Sequence, residues 1–124
     1  MELLNIEATD ETPKVTLNPE THFFEFSGKS LPEDVTEFYN PLMMWLENYQ
    51  GSPGIATKVV FKMDYFNTAS SKLILDILML LEEIHEETEG VNIEWNYRED
   101  DEDMEEAGEE YADIVDLPFE QKSY

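Results

Sequence analysis

In "DYFNTASSKLILDILMLL", residues 64–81, three hydroxyl side chains fall within four positions, Thr68, Ser70 and Ser71, with Asn67 before them and Lys72 after. Side chains in this pattern can do two things. They can cap a helix: Asn67 or Thr68 accepts hydrogen bonds from the exposed N–H groups of a first turn, and Ser70 or Ser71 supports it. They can also receive a phosphoryl group, whose charge of about −1.5 to −2 suits a helix N-terminus. Capping needs a single side chain, and this turn has several. Lys72, one turn beyond Thr68, stands where it can pair with a phosphate, while Asp64 and the overall negative charge oppose one there.

Other chemistries find less footing. "REDDEDMEE" offers oxygen ligands but lacks the Gly turn and the final Glu of an EF-hand, so it reads as a solvated charge run and no metal is expected. His22 and His85 have no second His at i+4. Among thirty acidic residues any catalytic carboxylate pair would be an arbitrary choice. GxSxG, GxxxxGK[ST] and GxGxxG are absent, which removes the nucleophile elbow, the P-loop and the dinucleotide turn. No catalytic seat and no cofactor are expected, and Met63 and Met79 read as core residues.

The 124 residues make one domain, 1–124, long enough to close a core without disulfides, and there is no Cys. Thirty acidic residues against seven basic ones give a formal charge of −23, which repels nucleic acid and anionic membrane. The longest nearly apolar run, residues 73–81, is interrupted by Asp76 and is far short of the ~20 residues of a membrane span. "MELLNIEATDE" has no basic stretch leading an apolar one, so no secretory signal is read and a soluble cytoplasmic protein is expected.

The elements that must position the hydroxyls follow from periodicity. Residues 1–11 read as a loose leading segment; "PKVTLN" and "HFFEFSG" form a hairpin across "NPET", with Gly28 ending the second strand. Val35, Phe38, Tyr39, Leu42, Leu46 and Tyr49 then fall at helical spacing, with Pro32, Glu33 and Asp34 suited to a first turn. Pro41 should kink this helix or start a second one capped by Asn40, and "GSPG" should end it. "TKVVFKMDYF" is a strand with one mainly wet face, and the helix after the hydroxyl cluster is apolar around most of its circumference. Such a helix is buried on several sides, or buried on one and offered to a partner on another. "VNIEWNY" alternates as a strand, and "DEDMEEAGEEYADIV" is an acidic helix with Met104, Ala107, Tyr111, Ile114 and Val115 inward. "DLPFEQ" either adds a last strand or covers the core. The order β-β-α-β-α-β-α(-β) with single-faced strands predicts a two-layer α/β sheet of four to five strands, helices mainly on one face.

"YFNTASSK", "LILDILMLLEEIHE", "VNIEWNY" and "DLPFE" together resemble the SiaC family of bacterial regulatory phosphoproteins, related in fold to the STAS domains of anti-sigma factor antagonists. The resemblance runs over nearly the whole chain and implies a partner switch. A dedicated kinase would phosphorylate the Thr of the N-T motif and a PP2C-type phosphatase would reverse it. The unmodified form would bind an effector, a diguanylate cyclase in the best-known branch. Carried over by position, the phosphoacceptor is Thr68, framed by Asn67, Ser70, Ser71 and Lys72; Ala69 stands where relatives often have Ser, so it offers no second acceptor.

The expected contact surface is therefore Asn67, Ser70, Ser71 and Lys72, with Leu75 or Met79 as apolar anchors. The competing expectation is a small acidic module or inhibitor that binds a basic protein without phosphorylation.

Overall fold

The structure, a computed structural model, describes residues 1–49, 51 and 54–124. Ser52 and Pro53 of the expected "GSPG" stop lie outside the described residues. Among the described residues, six strands and three helices follow in the order β1 (Leu4–Ile6), β2 (Lys14–Asn18), β3 (Phe23–Ser30), α1 (Val35–Asn48), β4 (Thr57–Phe66), α2 (Thr68–Thr88), β5 (Val91–Tyr97), α3 (Glu102–Ile114) and β6 (Phe119–Ser123).

The sheet order is the chain order, β1-β2-β3-β4-β5-β6. β1, β2 and β3 pair antiparallel, and β3 through β6 run parallel. Each parallel strand lies beside its predecessor and always on the same side. Because β-α-β crossovers are right-handed, three successive steps in one direction place all three helices on one face. That is the two-layer α/β architecture expected from the sequence, with six strands instead of four to five.

Side-chain alternation sorts the two faces. Val59, Phe61 and Met63 of β4 and Val91, Ile93 and Trp95 of β5 are buried against the helices, as are Phe24 and Phe26 of β3. From the helices come Tyr39, Leu42, Leu46, Ile74, Ile77, Leu78 and Leu81. Each such side chain is worth roughly 1.5–3 kcal/mol when fully removed from water. The other face is bare and polar: Glu94 pairs with Lys122 at 3.0 Å and Lys58 at 3.5 Å, and Arg98 with Asp64 at 3.1 Å. Hydrogen bonds from Asn96 and then Lys122 hold the Glu94 carboxyl below the ordinary carboxylate range.

Several expectations need correction. Part of the segment 1–11 is not loose, because Leu4 and Ile6 pair with Leu17 and Val15 and the Trp45 indole donates to the Glu2 carbonyl at 2.9 Å. Three residues are too few to show a period. Gly28, at φ +103, does not end β3 but sits where its register with β4 shifts, and the strand continues to Ser30. α1 begins only at Val35, with Asp34 as cap accepting from the Glu37 N–H at 3.0 Å. It also runs unbroken through Pro41. Pro41 and Glu37 are both exposed, so the carbonyl left without a helical donor faces water. Ile114 is 59% exposed instead of lining the inner stripe, and the buried residues of α3 are Met104, Gly108 and Tyr111.

Gly108 brings α3 close onto β5: a Cβ there would stand 2.5 Å from Trp95 Cδ1 and collide with the Gln121 amide. Gly108→Ala is expected to cost about 1–3 kcal/mol through overpacking. The check is a lowered urea midpoint at unchanged slope; an unchanged midpoint would mean that α3 is free to shift away from the sheet.

Candidate functional site

The hydroxyl cluster lies where β4 gives way to α2, at the carboxyl end of the parallel strands. β4 ends with Phe66 paired to Ser30, and the Asn67 N–H still donates to the Ser30 carbonyl at 3.0 Å. Asn67 then leaves the ladder in an extended conformation and its side-chain oxygen accepts from the Ser70 N–H at 2.8 Å. Of the two candidate caps, Asn67 is the one used.

The three hydroxyls have three different environments. Ser70 is fully buried and its Oγ donates back to the Ser30 carbonyl at 3.0 Å. Ser71 Oγ donates to the Thr68 carbonyl at 2.6 Å, which returns it to its own helix. Thr68, the first residue of α2, is exposed, and no hydrogen bond engages its Oγ1 among the described residues. One of the three is thus presented to solvent as an unengaged hydroxyl.

Beneath the turn the hydroxyls form a directed chain. Ser30 Oγ donates to Ser70 Oγ at 2.8 Å, and Ser70 gives its proton to the Ser30 carbonyl. The remaining contact, 2.6 Å between Ser30 Oγ and the Tyr39 hydroxyl, must therefore run from tyrosine to serine. Burial raises the Tyr39 pKa and so keeps the phenol in its donating form. On the α3 side the Tyr111 hydroxyl donates to the Ser71 carbonyl at 2.8 Å; burial raises its pKa strongly as well. The start of α2 is held from α1, β3 and α3 together.

This geometry sorts the expected contact residues. Ser70 has no surface to offer and is withdrawn as a contact residue: two positions after Thr68 on a helix of about 3.6 residues per turn, it points to the opposite side. Positions 68, 72, 75 and 79 recur every three or four residues and share the outward face. On it Thr68 and Lys72 are exposed, Leu75 is half-buried and Met79 is 50% exposed, so Met79 does not belong to the core. Asn67 and Ser71 are half-buried at the turn. α2 is buried toward the sheet, flanked by α1 and α3, and open outward. Ser30, Tyr39 and Tyr111 were not foreseen in these roles, because each comes from another element and has no local signature.

The rest of the surface offers little for catalysis. A groove of about 260 Å³ between α1 and α2 is lined by Leu46, Tyr49, Leu80 and Ile84 with Glu47, Glu83 and Glu87 at its rim. Among the described residues no group of three or more acidic or histidine side chains is placed to hold a metal ion, and no helix is long and apolar enough to cross a membrane.

Residues 6–124 match the family described as SiaC family regulatory phosphoprotein. An uncharacterized protein of Pseudomonas aeruginosa (strain UCBPP-PA14) is 29% identical over 116 residues, 94% of this chain and 92% of that one. The structure of SiaC of Pseudomonas aeruginosa superposes with a TM-score of 0.89 at 27% identity, covering 100% of both chains. The crystal structure of the diguanylate cyclase SiaD in complex with its activator SiaC, from the same organism, gives 0.89 at 28% identity over 98% of this chain and 99% of that one.

The buried chain and the exposed hydroxyl should respond differently to truncation. Ser70→Ala leaves Ser30 Oγ without its acceptor and is expected to lower stability by about 1–3 kcal/mol. Thr68→Ala removes no contact and should stay within about 0.5 kcal/mol of the parent. Urea denaturation of both variants checks this; equal midpoints would mean that the chain contributes nothing net.

Proposed function

The chain belongs to the SiaC family of regulatory phosphoproteins, a regulatory protein rather than an enzyme, and from that premise we propose that Thr68 is its switch. A dedicated protein kinase transfers the γ-phosphoryl group of ATP to Thr68 Oγ1; the hydroxyl proton leaves and ADP departs. A PP2C-type phosphatase hydrolyses the ester and returns the free hydroxyl with inorganic phosphate. The unmodified form binds an effector in the cytoplasm. By analogy with SiaC, described as the activator of the cyclase SiaD, that effector is a diguanylate cyclase.

The observation that carries this reading is the exposed, unengaged Thr68 hydroxyl at the first position of α2. A dianion there meets the positive end of the helix macrodipole, so the modified domain stays folded. A partner covering Asn67, Ser71, Lys72, Leu75 and Met79 has to desolvate the same dianion, and an unpaired buried charge is among the largest single penalties. About 5.5 kcal/mol moves occupancy from 99:1 to 1:99, within the range of that penalty. No change of shape is required.

The carboxylates crowding the helical layer favour a second reading, a module that binds a basic protein without phosphorylation. That contact would be lost at high salt, whereas an apolar one would barely weaken.

Incubation with the kinase and ATP is expected to add one phosphate, located by fragmentation on the peptide containing Thr68. Thr57 is 2% exposed and not an alternative acceptor, but Thr88 is partly accessible, and a phosphate found only there would move the site. Thr68→Ala should resist the kinase and keep the effector; Thr68→Glu should weaken the complex. Equal affinity of the two variants would reject the switch.

A further inference from the structure

The distribution of positive charge says what kind of group the partner brings to the switch. α1, α2 and α3 contain two, five and seven acidic residues, and Lys72 is the one Lys or Arg among them. Lys58, Arg98 and Lys122 make ion pairs on the bare face of the sheet. Lys62 lies there too, over the Tyr124 ring. Lys72 joins no ion pair among the described residues, as is also true of Lys14 and Lys29 in the strands β2 and β3, although Asp76 follows one turn later on the same helix. In the helical layer an uncommitted cation stands alone among carboxylates, one turn from Thr68 and on the same face as the apolar pair Leu75 and Met79.

Phosphorylation adds negative charge at Thr68. A partner presenting basic groups to that spot would be held more tightly by it, the reverse of a release. A counterpart that negative charge repels adds repulsion to the cost of desolvating the dianion, and Lys72 is the residue such a counterpart would pair with. We propose that the effector covers Leu75 and Met79 with an apolar side chain and presents a carboxylate to Lys72, and that phosphorylated Thr68 takes Lys72 for itself. Residues four apart on a helix lie about 5–6 Å from each other at Cβ, close enough for a phosphate and an ammonium to meet. The modification removes the effector's ion-pair partner and repels its carboxylate at the same time. The inference rests on the switch proposed above and deepens it, giving Lys72 the role of the group both sides compete for.

The test titrates the cognate diguanylate cyclase against the full chain and its variants. Lys72→Glu, with Thr68 unmodified, is expected to weaken binding by tenfold or more and so imitate phosphorylation, since losing a paired interface charge is worth about tenfold or beyond. Lys72→Arg should restore affinity to within about twofold, because it keeps the charge. Lys72 is exposed, so both variants should share the parent's urea midpoint, which separates a lost contact from a damaged fold. Unchanged or tighter binding by Lys72→Glu, while Thr68→Glu still releases the cyclase, would overturn the inference and leave the switch standing. Failure of both substitutions to release it, or of the parent to bind at all, would overturn the switch and the inference with it. A partner-free arm follows the 31P resonance of phosphothreonine installed at position 68. Its second ionisation should fall at lower pH in the parent than in Lys72→Met, and coincident curves would rule out capture of Lys72.

Discussion

The carbonyl of Ser30 is the point from which the hydroxyl-bearing turn hangs. It accepts the Asn67 N–H and the Ser70 hydroxyl, and so ties the last residue of β3 to both the end of β4 and the start of α2. The Ser30 side chain extends the bond to Tyr39 of α1. Once Ser70 is turned inward by this junction, helical geometry leaves Thr68 no direction but outward. The exposure of Thr68 is a consequence of the burial of Ser70.

The sheet topology supplies the other half of the arrangement. Successive right-handed crossovers in one direction put α1, α2 and α3 on a single face and leave the other bare. α2 then lies between two helices, with an outward strip that runs from Thr68 past Met79 to Glu87. Lys58, Arg98 and Lys122 pair with Glu94 and Asp64 on the bare side, and the helical side, with Lys72 as the one Lys or Arg of its helices, keeps a strong negative field. A signal that works by adding one more negative group to such a field acts through local pairing and desolvation, because the long-range term is already large and is screened by salt.

The stable core and the outward face proposed as the switch share almost no side chains. The core consists of sheet residues such as Phe61 and Trp95 and the inward stripe of α2 from Ile74 to Ile84. Thr68, Lys72 and Met79 lie on the opposite side of the same helix. Charge can therefore be added and removed at the surface without loosening the packing that holds the helix in place.

Much of this was legible along the chain. Period-two alternation in "TKVVFKMDYF" and "VNIEWNY" and the long apolar run after Lys72 determined where strands and helices lie and which way most of them face, because those patterns depend only on near neighbours. The Asn-Thr-x-Ser-Ser-Lys stretch likewise determined that a helix starts there and that hydroxyls crowd it. Local pattern did not decide which hydroxyl turns inward, that Leu4–Ile6 joins the sheet, or that Gly108 seats α3. Each of those depends on a partner far away in the chain: Ser30 and Tyr39 for Ser70, Leu17 and Val15 for the first strand, Trp95 for the glycine. Tertiary structure alone brings such partners together, because a hydrogen bond or a close packing distance is set by separation in space and not by separation in sequence.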